Sequence, residues 1–319
     1  MGPLDGVAGR VRAALAGGLL ALGALAANAA PQPPGFALKV DELAVDLPVF
    51  SAFVLPHETL TVQITGHQAP RRINLQATAG TVDRIGHGRW YWRAPEGNGL
   101  VSLKVVDPVS GRRVQINAFV LVPHESIRNG SIENYEIGEY PPSDAPNDPH
   151  FNPPKGFIEV SEEVVDTLVS PHFTLGQFLC KQESGWPKYL ALQLPLLLKL
   201  ERIVTALNEA GIPSAGLEVM SGFRTPAYNA ALGNVAYSRH IYGDAADVFV
   251  DNDGDGNMDD LNGDGAVDTD DALWLRELVE NMTGEPWYEP LVGGMSAYRA
   301  NAYHGPFLHV DTRGYHARW

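Results

Sequence analysis

Apolar residues between positions 36 and 122 recur at every second position, which is the period of a β-strand with one buried face. Turn-forming stretches such as the one at residues 95–99 separate these segments. Several short strands at this spacing predict a small all-β, immunoglobulin-like sandwich over residues 36–123. The clearest alternation is in Leu60, Val62 and Ile64, in Val101, Leu103 and Val105, and in Val114, Ile116, Ala118 and Val120.

Two tryptophans, Trp90 and Trp92, lie on one face of a predicted strand in this sandwich. Such a pair can be a surface on which glycans stack, but in a small sandwich it is more often part of the core. We therefore expect both indoles to be buried. The sandwich itself is interpreted as a spacer or a positioning module.

Six prolines between positions 141 and 154 interrupt every regular pattern. A proline-rich stretch is extended and fairly stiff. Residues 124–160 are therefore predicted to be a linker that either separates two domains or lies on one of them as an arm.

The pattern changes after residue 160. Leu196, Leu200, Ile203 and Leu207 recur at helical spacing, with a proline at position 195 for the first turn and a stop at residues 211–213. Residues 246–250 and Phe307–Asp311 have the composition of buried strands. We expect the helix to support the sheet that contains these strands.

The first residues have the pattern of an export signal. Arg10 and Arg12 precede an apolar run at residues 13–27, and small residues follow at 27–29. We predict a signal peptide over residues 1–29, with an uncleaved anchor as the alternative. The mature protein would then be periplasmic or secreted, without stable insertion in a membrane. The single cysteine, Cys180, has an apolar context and is expected to be a buried thiol.

Length and charge narrow the possible functions. A chain of 319 residues is long enough for two domains. The net charge of −15 argues against nucleic acid or an anionic membrane surface as a partner. Eleven aspartates between Asp244 and Asp271 contribute most of this excess, so the acidity is local. Neither length nor charge determines the oligomeric state.

Three residues, His240, Asp247 and His309, form a candidate metal site. Side chains alternate across a strand, so neighbouring strands can direct Asp247 and His309 to one point, with His240 in the loop before the first strand. Two imidazoles and a carboxylate fill three corners of a tetrahedral zinc site and leave one position for water. The alternative is that these are unrelated polar residues at strand ends.

The segment around the first two candidate ligands has the pattern Ser-x-His-x-x-Gly-x-Ala-x-Asp, with Ser238, His240, Gly243, Ala245 and Asp247 at its fixed places, and a His on a predicted strand follows far downstream. This pattern resembles that of the zinc D-Ala-D-Ala carboxypeptidases and related peptidoglycan endopeptidases, whose fold is shared with the Hedgehog signalling domain. The similarity extends through residues 221–225 and 309–314.

The resemblance implies an α+β zinc peptidase domain over residues 161–319, with an antiparallel sheet and flanking helices. It implies that His240, Asp247 and His309 hold Zn²⁺ and that Arg224 binds the substrate carboxylate or the oxyanion. A guanidinium suits this role because its planar fork pairs with a carboxylate and stays charged.

This chain departs from the pattern of the family at the position of the general base. Several members have a Glu three residues before the last zinc-binding His, and this chain has Pro306 there. His304 and Asp311 are the candidates to transfer protons, and His304 is preferred. Asp311 has a competing role as the acceptor that fixes the tautomer of a ligand histidine.

A second metal pattern lies at residues 251–271, inserted in the same domain. Residues 260–271 match the calcium loop of EF-hands, with an Asp at the last position as in dockerin repeats. An overlapping copy begins at Asp251. One structural Ca²⁺ site is expected and a second is possible; a solvated acidic loop is the alternative. The predicted ligands are Asp251, Asp253, Asp255, Asp259, Asp260, Asn262, Asp264, Asp268 and Asp271.

The residues themselves predict hydrolysis by a metal-bound water. The resemblance adds the substrate class and implies a secreted or periplasmic zinc metallopeptidase that hydrolyses amide bonds in peptidoglycan peptides, as a D,D-carboxypeptidase or an endopeptidase. Its partner is then the peptidoglycan peptide. One alternative is a metal-containing cell-wall binding protein without turnover, which the missing Glu favours. A weaker alternative is a calcium-dependent scaffold protein that pairs through the acidic loop.

Overall fold

Strands in the N-terminal half form two sheets. The computed structural model describes residues 36–65, 72–142 and 149–319, and the predicted signal peptide lies outside them. The described strands up to residue 120 are β1 (Ala37–Val40), β2 (Leu43–Val45), β3 (Val49–Val54), β4 (Thr59–Thr65), β5 (Asn74–Ala77), β6 (Thr81–Gly86), β7 (Arg89–Arg93), β8 (Gly99–Val106) and β9 (Arg113–Val120).

The two sheets have the strand orders β2-β1-β4-β7-β6 and β3-β9-β8-β5. Within them only β3 and β9 pair in parallel, among the strands that the structure describes. The three strands predicted from alternation are confirmed as β4, β8 and β9, and their apolar side chains are buried. One face of each sheet therefore contributes to a common hydrophobic core.

Trp90 and Trp92 belong to that core. Both lie on β7 and are at most 2% exposed, while Tyr91 between them points to the opposite face and is 40% exposed. The indole Nε1 of Trp92 donates a hydrogen bond to the carbonyl oxygen of Ala79, at 2.9 Å. The prediction of buried indoles is confirmed. Because both rings are buried, they do not form a surface on which glycans could stack.

The described residues of the predicted linker, 124–142 and 149–160, contain short strands and buried side chains. The strands of this region and the next are β10 (Val122–Pro123), β11 (Ser131–Ile132), β12 (Tyr135–Glu136), β13 (Gly156–Val160), β14 (Leu168–Ser170), β15 (Phe173–Thr174) and β16 (Lys188–Leu190). Because β13 pairs with both β10 and β16, the expected boundary at residue 160 falls inside a three-stranded sheet.

The C-terminal half contains a five-stranded sheet with the order β17-β18-β20-β19-β21. Its pairs are antiparallel except for β19 with β21. The described residues group into one compact unit. The remaining elements are α1 (Leu194–Glu209), β17 (Glu218–Ser221), α2 (Pro226–Ala231), β18 (Ala245–Phe249), α3 (Thr269–Glu280), β19 (Gly294–Tyr298), β20 (Phe307–Asp311) and β21 (Ala317–Arg318).

One face of this sheet is apolar and is covered by helices. Val248, Leu308 and Val310 are fully buried, and α3 packs against β19 and β20 while α1 packs against α3. The predicted helix is confirmed as α1, with its proline in the first turn. The opposite face is left for polar side chains. Among the described residues, no helix is long and apolar enough to cross a membrane.

We expect Trp92→Ala to lower the free energy of unfolding by about 3–5 kcal/mol, because it removes a buried indole and leaves a cavity. Urea denaturation measures the change. The matched control is Tyr91→Ala on the same strand, whose exposed ring should cost less than about 1 kcal/mol. Equal losses in the two variants would contradict the assignment of Trp92 to the core.

Candidate metal centre and its cleft

Strand pairing places two candidate ligands side by side. In the ladder between β18 and β20, Asp247 lies directly opposite His309, and Ser296 of β19 is the next partner of His309. These three residues occupy the polar face of the sheet, because their neighbours in the chain point to the helices. The expected convergence of Asp247 and His309 is therefore observed.

The third candidate ligand, His240, lies on a short 3₁₀ helix, Arg239–Tyr242, just before β18. Gly243 ends this helix with a φ of 74°, in the left-handed region. A Cβ atom at this position would also collide with the carbonyl oxygen of Ala191. Both constraints require glycine and explain why it follows the histidine in this motif.

The three side chains converge on a small volume. Asp247 Oδ1 lies 3.2 Å from His240 Nε2 and 2.8 Å from His309 Nδ1, and one ligand atom from each residue is within 4.8 Å of the others. All three residues are buried. The set of two imidazole nitrogens and one carboxylate fits the donors that zinc prefers.

Hydrogen bonds at the far side of each ring orient the imidazoles. His240 Nδ1 lies 2.7 Å from the carbonyl oxygen of Gly222, which can only accept, so Nδ1 carries the proton and Nε2 presents its lone pair. His309 Nε2 lies 3.3 Å from Asp311 Oδ2, and a proton shared there leaves Nδ1 available. Such contacts fix the tautomers of ligand histidines.

Burial and charge act in opposite directions on these groups. Burial lowers the pKa of His240, with partial compensation by Asp247. For His309, burial also opposes the charged form, but Asp247 and Asp311 outweigh it and raise the pKa to about 9. The imidazoles hold the pKa of Asp247 well below its usual range despite its burial. A cation bound here therefore competes with a proton on His309.

Asp311 lies behind His309 and is fully buried. Its carboxylate accepts hydrogen bonds from the backbone N–H of Gly294 and from Arg313, in addition to its contact with His309. Burial opposes the charge of Asp311, but His309 and Arg313 lower its pKa. This arrangement favours the tautomer-fixing role of Asp311 over the expected role in proton transfer, because the carboxylate does not line the cleft.

Arg224 reaches the centre from the loop after β17. Its Nη2 donates to Asp247 Oδ2 at 2.6 Å, and its Nε donates to Ser221 Oγ at 2.9 Å. The guanidinium also lines the cleft above the candidate ligands. It therefore holds the carboxylate of Asp247 in place and still has donors for another partner.

His304 lies in the loop before β20 and lines the same cleft. Its Nδ1 is 2.8 Å from the carbonyl oxygen of Gly305, and its Nε2 is 2.7 Å from Asn301 Nδ2. Since the carbonyl can only accept, Nδ1 carries the proton and Nε2 accepts from Asn301. Pro306 follows two residues later and lines a smaller cavity beside the cleft.

The cleft has a volume of about 940 Å³ and an aromatic side that sequence reasoning did not identify. Trp319 packs on the ring of His309, with 5.3 Å between ring centroids, and donates from Nε1 to the hydroxyl of Tyr298 at 2.8 Å. Tyr298 stacks on Phe307 at 4.7 Å. The alternation of side chains along the strands could have identified this aromatic side, because Phe307 shares a face with His309 and Tyr298 shares one with Ser296.

The acidic region forms two loops with one repeated hydrogen-bond pattern. Asp251 accepts from the backbone N–H of Gly254, Asp255 and Gly256. Nine residues later, Asp260 accepts in the same way from the N–H groups of residues 263, 264 and 265. Glycines at the fourth and sixth loop positions have φ values of 76–88° in both copies.

The two copies differ in how their carboxylates are arranged. Oxygen atoms of Asp251, Asp253 and Asp255 come within 4.8 Å of one another, whereas the aspartates of the second copy form no such group among the described residues. In the second copy, Asp271 is fully buried and accepts from the N–H groups of residues 261, 262 and 268. It starts α3 as part of a capping box with Asp268.

The remaining predicted calcium ligands take part in the same local network. Asp259 accepts from the backbone and side chain of Asn252, at 3.1 and 2.8 Å. Asn262 and Asp264 accept from backbone N–H groups two residues further along the chain. The first copy therefore carries the carboxylate cluster, although the sequence pattern was more complete in the second.

A comparison with known families agrees with this geometry. Residues 171–262 match the family model for Peptidase M15. The matched stretch contains Arg224, His240 and Asp247 and ends before His309, which strand pairing brings beside them. No curated protein and no solved structure matches the chain. The match covers less than a third of the chain and shows that this stretch is similar to Peptidase M15.

We expect Asp311→Asn to weaken zinc binding by about 10–100-fold, because an amide no longer fixes the tautomer of His309 as a carboxylate does. Titration against a chromophoric chelator measures the affinity. Asp83→Asn, on the exposed strand β6, is the control and should bind zinc like the original chain. An unchanged affinity in Asp311→Asn, with the fold intact by circular dichroism, would contradict this role.

Proposed function

We propose that this chain is a secreted or periplasmic zinc metallopeptidase that hydrolyses amide bonds next to a D-amino acid in the peptide part of peptidoglycan. One observation carries the proposal: a buried His-Asp-His set with oriented tautomers lies at an open cleft, and two of its three residues, His240 and Asp247, fall in the stretch that matches the Peptidase M15 family. The substrate class comes from the family match. The residues themselves indicate metal-assisted hydrolysis.

His240, Asp247 and His309 would hold the zinc ion in this proposal. With the ion bound, these residues would place a Lewis acid at the cleft, which would supply polarisation of the scissile carbonyl and activation of water near neutral pH. The protein contributes a rigid set of ligands, because each side chain is buried and held by a second partner. It also contributes a negative carboxylate that offsets part of the charge of the cation.

Arg224 is proposed to bind the substrate carboxylate or the developing oxyanion. Its contacts with Asp247 and Ser221 use Nη2 and Nε, so the Nη1 group remains for a substrate oxygen. The contact with Asp247 also fixes the plane of the guanidinium, which lowers the entropy lost on binding. Arg224 thus links the position of a metal ligand to the position of the substrate.

His304 is proposed to transfer the protons. It lines the cleft with the ligand set, and its Nε2 can accept a proton once the contact with Asn301 is exchanged for water or substrate. Asp311 remains a weaker candidate because it is buried behind His309. No side chain at position 306 can replace His304, because that residue is proline.

A second candidate function is a cell-wall binding protein that holds the metal without turnover. Two observations favour it: residue 306 cannot titrate, and both ring nitrogens of His304 are engaged within its own loop. The two functions differ in whether His304 is free to accept a proton when substrate is bound.

Digestion of purified peptidoglycan by the zinc-loaded protein, with products identified by mass spectrometry, separates these functions. The proposal expects release of terminal D-amino acids or conversion of cross-linked dimers to monomers, and neither change with His309→Ala. His304→Ala should keep stoichiometric zinc and lose about 10²–10⁴-fold in kcat. Absence of turnover at full zinc occupancy would overturn the peptidase and favour the binding protein.

We further propose that the first acidic loop binds Ca²⁺ in a structural role. Asp251, Asp253 and Asp255 supply clustered carboxylate oxygens, which are the ligands that calcium prefers. The two copies share residues at their junction, so one well-formed site is favoured over two. Because Asp251 follows Asp247 by only four residues, an ion there would restrain the end of β18.

Calcium at about 100 times its dissociation constant should raise the unfolding free energy by about 2.7 kcal/mol. A thermal melt of the zinc-loaded protein with and without Ca²⁺ measures the shift. Asp253→Asn should remove the shift, while Asp270→Asn, an exposed acid outside the predicted ligands, should keep it. A melting temperature that does not respond to Ca²⁺ would show that the loop is only a solvated acidic segment.

A further inference from the structure

A second, smaller cavity adjoins the cleft and is not used by the candidate mechanism. It has a volume of about 290 Å³ and shares Met220, Tyr303 and His304 with the cleft. We call it the side pocket. Its volume is at the lower end of the range for ligand pockets, so it suits one side chain of a larger substrate.

The side pocket combines an apolar floor with two opposite charges. Phe249, Met258 and Pro306 contribute apolar surface. Lys181 and Glu218 also line the pocket, and both are exposed. Apart from Tyr303 and His304, these two are the only ionisable residues that line it, among the described residues.

Neither charge is neutralised by a neighbour. Within the described parts of the chain, Lys181 and Glu218 form no ion pair and no side-chain hydrogen bond, either with each other or with a third residue. Oppositely charged side chains at one pocket usually pair when they can meet. Their separation leaves an ammonium donor and a carboxylate acceptor available to the same ligand.

Sheet geometry relates the side pocket to the metal centre. Asp247 and Phe249 lie on one face of β18, two residues apart, which is about 7 Å along an extended strand. Glu218 lies opposite Phe249 in the ladder between β17 and β18. A peptide lying along this face with its scissile bond at the ligand set therefore places a residue one or two positions away over the side pocket.

We infer that the side pocket binds a substrate side chain that ends in both an ammonium and a carboxylate on an apolar stem. Lys181 would receive the carboxylate, Glu218 the ammonium, and the apolar floor the methylene groups. This inference deepens the proposed function and rests on it. It makes Lys181 and Glu218 specificity-determining residues, with no part in the chemical step.

Three peptides that differ in one residue test the inference. The residue next to the scissile amide carries 2,6-diaminopimelate with both groups, lysine with the ammonium alone, or 2-aminopimelate with the carboxylate alone. We expect kcat/KM to favour the first peptide by about tenfold over each of the others, since each loses one charged contact. The difference should appear in KM.

Two variants are expected to have opposite effects on the two substrate preferences. Lys181→Met should remove the preference for diaminopimelate over lysine and keep the preference over 2-aminopimelate. Glu218→Gln should do the reverse. Lys104→Met on β8 and Glu96→Gln in the loop before it change exposed residues of the N-terminal half; they are the controls and should retain both preferences. A purely structural role would lower the rates for all three peptides equally, and that outcome would overturn the inference.

Direct binding separates failure of the side pocket from failure of the proposed function. Calorimetry with the three peptides and the His309→Ala variant, whose substituted residue does not line the side pocket, measures selectivity without turnover. Cleavage of all three peptides at equal rates would overturn the side pocket and leave the peptidase intact. Selective binding without any cleavage by the original chain would overturn the peptidase and support the side pocket, and equal binding would overturn both.

Discussion

The carboxylate of Asp247 joins the groups from which the candidate centre is built. One oxygen faces His240 Nε2 and His309 Nδ1, and the other accepts from Arg224. A buried carboxylate is costly unless positive or hydrogen-bonding partners surround it, and here each partner belongs to a different element of the fold. The position of Asp247 therefore determines whether a cation, the two imidazoles and the guanidinium can meet.

The position of Asp247 depends on the pairing of β18 with β20, and the end of β20 is held by a contact with α1. Lys199 of α1 is fully buried and donates to the carbonyl oxygens of Asp311 and Leu291, at 2.8 and 3.2 Å. Burial lowers the pKa of this lysine to about 8, with partial compensation by Asp311. A charged donor in the core thus anchors the end of β20 from behind, while the carboxylate of Asp311 orients His309 from the same residue. A shift of β20 would break both contacts together.

The acidic repeat is placed where it can affect this ladder from two sides. It begins just after β18 and ends where Asp271 starts α3, which packs behind β19 and β20. Its first copy also contributes Met258 to the floor of the side pocket. The acidic loop, the strand that bears Asp247 and the floor of the side pocket are therefore joined by short stretches of chain.

The sequence by itself determined which residues are chemically important on the C-terminal sheet. Spacing identified His240, Asp247 and His309, and strand alternation placed the two strand residues on one face, because that period is a local property of the backbone. It also identified the core indoles, the long helix and the nine-residue acidic pattern. Each of these follows from a few neighbouring residues.

Only the tertiary structure decided what those residues contact. Asp311 became a partner of His309 and Arg313, Trp319 became a wall of the cleft, and the region expected to be a linker became part of a sheet. Lys181 and Glu218 came to one pocket from segments 37 residues apart. Such contacts depend on which distant strands pair, and a single sequence carries no local signal for that choice.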